Sequence, residues 1–179
     1  MHKTVQNLIS IQSAIKSKLL TLNVKHRIPK IIAVSKTFKI EHILPLIDYG
    51  HIDYGENKVQ EAIEKWTDIK KKKNKIKLHL IGKLQTNKVK HAVKIFDYIH
   101  SLDSEKLAKK ISEEQKKNDL NPKIFIQINL GLESQKSGIV KENLVNFYNF
   151  CKILDLNIVG IMCIPPFEEN SSKYFSEML

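Results

Sequence analysis

Ile31-Ile32-Ala33-Val34-Ser35-Lys36 is the stretch on which the fold turns. Four apolar residues run without a charge, then come a serine and a lysine. The run is too short for a buried helix, so it reads as a fully buried strand of a parallel sheet. Lys36 stands where that strand ends. Barrels and doubly wound α/β folds place their chemistry at the carboxyl ends of strands. A lysine held there against apolar walls loses solvation, which favours the neutral amine. A neutral amine attacks carbonyls and forms Schiff bases. Taken alone, the stretch also fits a lysine that merely leaves the strand into solvent.

On the N-terminal side, Val5, Leu8, Ile11, Ile15 and Leu19 recur three or four residues apart, which predicts a helix over 3–21. On the C-terminal side, apolar strands alternate with amphipathic helices. Strands are expected at 31–35, 51–55, 76–82, 97–101, 123–129 and 157–163. Helices are expected at 40–49, 58–69, 84–96, 104–117 and 141–154, with a last one opening at Ser171. Gly50 and Ser104 are placed as a helix stop and a helix cap. Strict alternation of this kind implies a parallel sheet covered by helices. No low-complexity linker divides the chain, so it reads as one domain. Six units fall short of the eight, and about 250 residues, of a closed barrel. By counting alone, an open doubly wound sheet fits better.

The chain has 179 residues, 42% hydrophobic and 27% charged, which is ordinary for a globular domain. No apolar run reaches the length of a membrane span. Cys151 and Cys163 are its two cysteines, too few for a disulfide framework, so a reduced, cytoplasmic setting is expected. The net charge of +11 comes from lysine, with Arg27 the lone arginine. The densest cluster, Lys70 to Lys73, carries no aromatic residue to stack a base and reads as a solvated loop, so no specific nucleic-acid partner is expected.

Small and polar residues gather at the expected strand ends: Lys36, then Gly55-Glu56-Asn57, Gly82-Lys83, His100-Ser101, Asn129 and Met162-Cys163. A parallel sheet collects its ligand groups at those ends. The loops that follow strands are polar in any case, although that does not explain the repeated glycine. No metal-ligand spacing, glycine-rich phosphate loop or nucleophile elbow is present.

Read in order, several segments resemble the pyridoxal-phosphate-binding proteins of the YggS/PROSC family. They are Ala33-Val34-Ser35-Lys36-Thr37, Gly55-Glu56-Asn57-x-Val59-Gln60-Glu61 and His79-x-Ile81-Gly82-x-Leu84-Gln85-x-Asn87-Lys88. The likeness continues through His100-Ser101-x-Asp103, Gln127-x-Asn129 with Glu133, Lys136 and Gly138, and Gly160-x-Met162. The resemblance implies a TIM barrel like the N-terminal domain of alanine racemase. It also implies pyridoxal 5′-phosphate held as a Schiff base on Lys36, with Asn57 and Met162 lining the pocket. The implied role is vitamin B6 homeostasis without catalytic turnover, and PLP-dependent apoenzymes are the implied partners. His79 lies inside its strand and suits a core position as well as a ligand contact.

The family continues into two more strands, whose turns hold the cofactor phosphate, and neither turn occurs in this sequence. The expectation is therefore one α/β domain over 1–179, a TIM barrel incomplete here, with six of eight β/α units plus an N-terminal helix and without strands seven and eight. Its first and sixth strands would each keep an open edge, and open edges invite self-association. Without the phosphate turns, a cofactor on Lys36 would be weakly held. The alternatives are a non-functional or split-gene fragment of such a protein, and a racemase-like pyridoxal phosphate enzyme, which needs a proton donor on each cofactor face.

Overall fold

The computed structural model describes residues 1–24, 28–131, 133, 136–166 and 170–178. Arg27 and Leu179 lie outside the described residues. The elements run α1 (Lys3–Thr21), β1 (Ala33–Val34), α2 (Ile40–Tyr49), β2 (Asp53–Glu56), α3 (Val59–Lys72), β3 (Lys77–Leu80) and α4 (Val89–Ile95). There follow β4 (Tyr98–Leu102), α5 (Glu105–Asn118), β5 (Lys123–Ile128), α6 (Leu144–Ile153), β6 (Ile158–Cys163) and α7 (Ser171–Glu177). Gly50 closes α2 with φ 99°, and the Ser104 hydroxyl accepts from the Leu107 N–H at the start of α5.

The six strands form one parallel sheet in the order β1-β2-β3-β4-β5-β6. That order separates the two architectures that counting left open. A doubly wound sheet reverses its strand order at a switch point. This sheet never reverses, so its helices wrap one side and the strands trace the arc of a barrel. β1 and β6 do not pair with each other, and the arc stays open between them.

Alternation along the strands sorts the side chains into two very different layers. Outward, Tyr54, Leu78, Leu80, Ile99, Ile124 and Ile126 are buried against Trp66, Ala62, Val89, Ala92, Leu107, Ile111 and Phe147 of the helices. This layer is the hydrophobic core. Inward, the strands carry Asp53, Gly55, His79, His100 and Gln127 together with Tyr98 and Phe125, so the hollow of the arc mixes polar groups with aromatic and aliphatic ones. Gly55 makes room on this inner face, because a Cβ there would stand 3.1 Å from both Ile32 Cγ2 and Ile81 Cδ1.

Two expectations are corrected. The first strand is short and not fully buried: Ile31 to Ala33 are half-buried and Val34 is 47% exposed. Its apolar composition suits a strand covered on both faces, yet β1 is an edge strand with a neighbour on one side only. Nor are all of Lys70 to Lys73 a solvated loop. Lys70, Lys71 and Lys72 form the last turn of α3, where cations complement the helix dipole. Lys70 Nζ reaches Asp97 at 2.6 Å and the Ile95 carbonyl at 2.9 Å.

Candidate functional site

The turn after β1 is fixed from below by a buried ion network. Glu56, fully buried, accepts from Ser35 Oγ at 2.8 Å, Trp66 Nε1 at 2.9 Å and Lys65 Nζ at 2.9 Å. Lys65 also donates to the Ser35 carbonyl at 2.8 Å and to Glu61 at 3.0 Å. Glu61 in turn accepts the Thr37 N–H at 2.7 Å. Thr37 has φ 65°, a left-handed conformation that a β-branched residue rarely adopts. The residues on both sides of Lys36 are thus held by hydrogen bonds from α3 and β2. For Glu61, burial raises the carboxyl pKa, but the hydrogen bonds from Lys65 and Thr37 outweigh it and the net shift is downward.

Lys36 itself emerges at the carboxyl end of β1 into a cavity of about 490 Å³. Asn57, at the end of β2, and Met162, on β6, line the same cavity, as do Ile81, Lys83, His100 and Asn129. The three site residues expected from the sequence are therefore brought together from three different strand ends. Of the two settings that the strand leaves open for Lys36, the structure shows the solvated one: the residue is exposed, next to the open side of the arc. Its Nζ has no hydrogen-bond or ion-pair partner among the described residues. Lys136, also in the lining, is engaged by Glu133 and by the Pro165 carbonyl.

Gly82 sets the distance between two of the cavity walls. A Cβ at this position would lie 2.4 Å from the Asn57 carbonyl oxygen and 2.7 Å from its Cα. The glycine that follows β3 thus lets the chain press directly on the backbone of Asn57. The floor of the cavity belongs to His100, which is stacked on Phe125 at 4.4 Å and bonded through Nε2 to His79 Nδ1 at 2.9 Å. His79 is buried, stacked on Tyr98 at 4.2 Å and bonded to Asp53 at 3.1 Å. Of its two expected settings, it takes the interior one. Burial lowers the pKa of both rings, with His79 adding to the effect on His100, which is pushed down to about 4.

Glu56 stands in the sequence among the strand-end polar residues and Glu61 in a family motif, but neither points to an ion network, and Lys65 carries no signal at all. The expected strand stops at residue 55, whereas β2 includes Glu56, and a carboxylate inside a buried strand is retained only when paired.

Residues 12–178 match the family model described as alanine racemase, N-terminal domain. A pyridoxal phosphate homeostasis protein of Aquifex aeolicus is 37% identical over 142 residues, which cover 79% of this chain and 61% of that protein. One of Haemophilus influenzae is 34% identical over 168 residues, covering 93% of this chain and 71% of that protein. The chain belongs to the alanine racemase N-terminal domain family, in its YggS/PROSC branch. Among solved structures, PipY of Synechococcus elongatus with PLP bound superposes with a TM-score of 0.74 at 29% identity, covering 91% of this chain and 76% of that one. The chain thus spans roughly three fifths to three quarters of the length of these family members. An alanine racemase of Clostridium difficile, at 17% identity and a TM-score of 0.63, shares the fold. Among the described residues no helix is long and apolar enough to cross a membrane, and no group of His, Cys, Asp and Glu is placed to hold a metal ion.

Proposed function

We propose that this chain binds pyridoxal 5′-phosphate and serves vitamin B6 homeostasis, with Lys36 as the covalent attachment point and Asn57 and Met162 as pocket walls. The observation that carries the reading is the unpartnered Lys36 amine in one cavity with Asn57 and Met162. Family membership supports it, since relatives are named for pyridoxal phosphate homeostasis and PipY carries the cofactor.

The residues present fit the aldehyde and the ring of the group. A primary amine suits an aldehyde, Ile81 and Met162 offer apolar surface to a ring, and Lys83 is a second cavity cation without a partner among the described residues. When bound, the cofactor supplies an electrophilic aldehyde and an electron-poor ring. The chain's own part is positioning: the Glu56–Lys65–Glu61 network holds the turn, and Gly82 holds Asn57 against the cavity. We read the protein as a binder and not a catalyst. None of the five tyrosines lines the cavity, which gives no support to a racemase-like proton exchange. PLP-dependent apoenzymes are the proposed recipients and the cytoplasm the proposed setting. Residues 1–179 are proposed as one partial barrel domain, whose closure needs strands beyond these six.

Incubation with pyridoxal phosphate, borohydride reduction and peptide mass mapping tests the reading. The expected label sits on Lys36 and disappears in Lys36→Ala. Label spread evenly over surface lysines would overturn it. Exchange of a substrate α-hydrogen with deuterated water would favour the racemase-like alternative.

A further inference from the structure

Three side chains on successive strands form one hydrogen-bonded row through the hollow of the sheet. Asp53 Oδ1 stands 3.1 Å from His79 Nε2, and His79 Nδ1 stands 2.9 Å from His100 Nε2. All three residues are buried, at 7%, 3% and 8% exposure. Both rings are held flat by their neighbours, His79 on Tyr98 and His100 on Phe125. The row starts at the first residue of β2 and ends at the cavity that Lys36 enters.

The ends of the row dictate where its hydrogens lie. A carboxylate accepts only, so His79 donates to Asp53 from Nε2. Burial depresses the pKa of both rings, so each is neutral at pH 7 and carries one N–H. His79 Nδ1 is then a bare acceptor, and His100 fills it by donating from Nε2. That leaves His100 Nδ1 with its lone pair unused. Nδ1 has no hydrogen-bond partner among the described residues and is not among the sealed polar atoms that lack one.

We infer that Asp53, acting through His79, fixes the tautomer of His100 so that its Nδ1 offers the cavity a hydrogen-bond acceptor and never a donor. The His100 wall is thereby a chemical filter. It receives a ligand group that can donate, such as a hydroxyl, an ammonium or a protonated ring nitrogen. It repels an oxyanion, whose lone pairs would meet its own. Anionic groups are left to the side of the cavity that carries Lys36 and Lys83. Asp53 and His79 are positioning residues here, and His100 is the residue that meets the ligand. The filter exists in the ligand-free chain; only the identity of the ligand rests on the function proposed above.

Side-chain ¹⁵N–¹H correlation spectra of the ligand-free full chain at pH 7 test it directly. Both His79 and His100 are expected as the Nε2–H tautomer, with a preference at His100 of at least about tenfold, the equivalent of one hydrogen bond. In Asp53→Asn the amide can donate as well as accept, so the preference at His100 is expected to collapse to roughly threefold or less. A proton on His100 Nδ1 in the wild type would overturn the inference, and so would an unchanged preference in a folded Asp53→Asn. Should that variant not fold, phenol and benzoate titrated into the wild type provide the second readout. Phenol is expected to shift the His100 Nδ1 resonance while benzoate leaves it in place; equal engagement by benzoate would overturn the filter. Neither spectrum involves pyridoxal phosphate, so its result is independent of trapping at Lys36.

Discussion

Lys65 and Glu56 meet at 2.9 Å beneath the turn that carries Lys36, with the lysine side chain 8% exposed and the carboxylate sealed. Lys65 simultaneously holds the Ser35 carbonyl, so one ammonium joins α3, β2 and the end of β1. Removing one partner of such a pair leaves the other charge buried and alone, which typically costs about 3–5 kcal/mol. Lys65→Met is therefore expected to lower stability by an amount of that order, measured by urea unfolding. It should also loosen the Lys36 turn, seen as slower trapping of pyridoxal phosphate at Lys36 in the folded fraction. Unchanged stability would show that Glu56 finds another counter-charge.

The close approach of Gly82 to Asn57 gives a second expectation. In Gly82→Ala the new methyl would strike backbone atoms, which cannot move aside as a side chain tip can. Overpacking of this kind costs about 1–3 kcal/mol. Because the displaced segment carries Asn57, ligand affinity is expected to fall together with stability. A Gly50→Ala control separates the two effects. Gly50 has φ 99° and open space around it, so its variant is expected to lose about 1 kcal/mol with no change in affinity. If both variants lose affinity alike, the effect is not local to the cavity.

Acid should unfold the chain through its two inner histidines. Their folded pKa values lie below the unfolded value of 6.5, His100 near 4. Above 6.5 both states hold neutral rings, and the histidines contribute no pH dependence. Between 6.5 and about 4 the unfolded chain binds protons that the folded chain refuses, so stability falls as pH falls. For His100 the full loss amounts to about 3 kcal/mol. Urea midpoints measured from pH 7.5 to 4.5 should decline, and His100→Phe should flatten the decline. A profile that stays level in the wild type would refute it.

Open edges predict association. Val34 on β1 is 47% exposed and Val159 on β6 is 43% exposed, each on a strand with one free side. Sedimentation velocity is expected to show concentration-dependent oligomers. Val34→Lys combined with Val159→Lys should shift the distribution toward monomer, since charge on an edge strand opposes pairing. Oligomers that persist in the double variant would point to another surface.

What the sequence disclosed follows from how local each signal is. Alternation of strand and helix is written in short-range periodicity, and the six β/α units were legible from it. Lys36, Asn57 and Met162 are named through the family resemblance of the ordered motifs; the structure gathers them around one cavity, and their role toward a cofactor is the proposal made above. The burial of β1 was misread for a reason of position: four apolar residues in a row look the same on an edge as in the middle of a sheet. Lys70 carries no local signal as an ion-pair partner, because Asp97 lies 27 residues away and the packing of α3 beside the end of α4 brings them together. The inner row was hidden likewise. Asp53, His79 and His100 are three isolated polar residues until parallel pairing aligns them, and no local pattern announces a long-range register.

The strand order has a consequence for how the molecule is made. Every ladder joins a unit to the next in the chain, with paired residues only about 20 to 35 positions apart. No ladder requires the first unit to wait for the last. The loop-closure entropy is therefore distributed in small, similar steps. Such sequence-local ladders favour stepwise pairing, each strand adding to the one made before it. The rim for which pairing between copies is predicted above would serve, during synthesis, as the template on which the next strand is laid down.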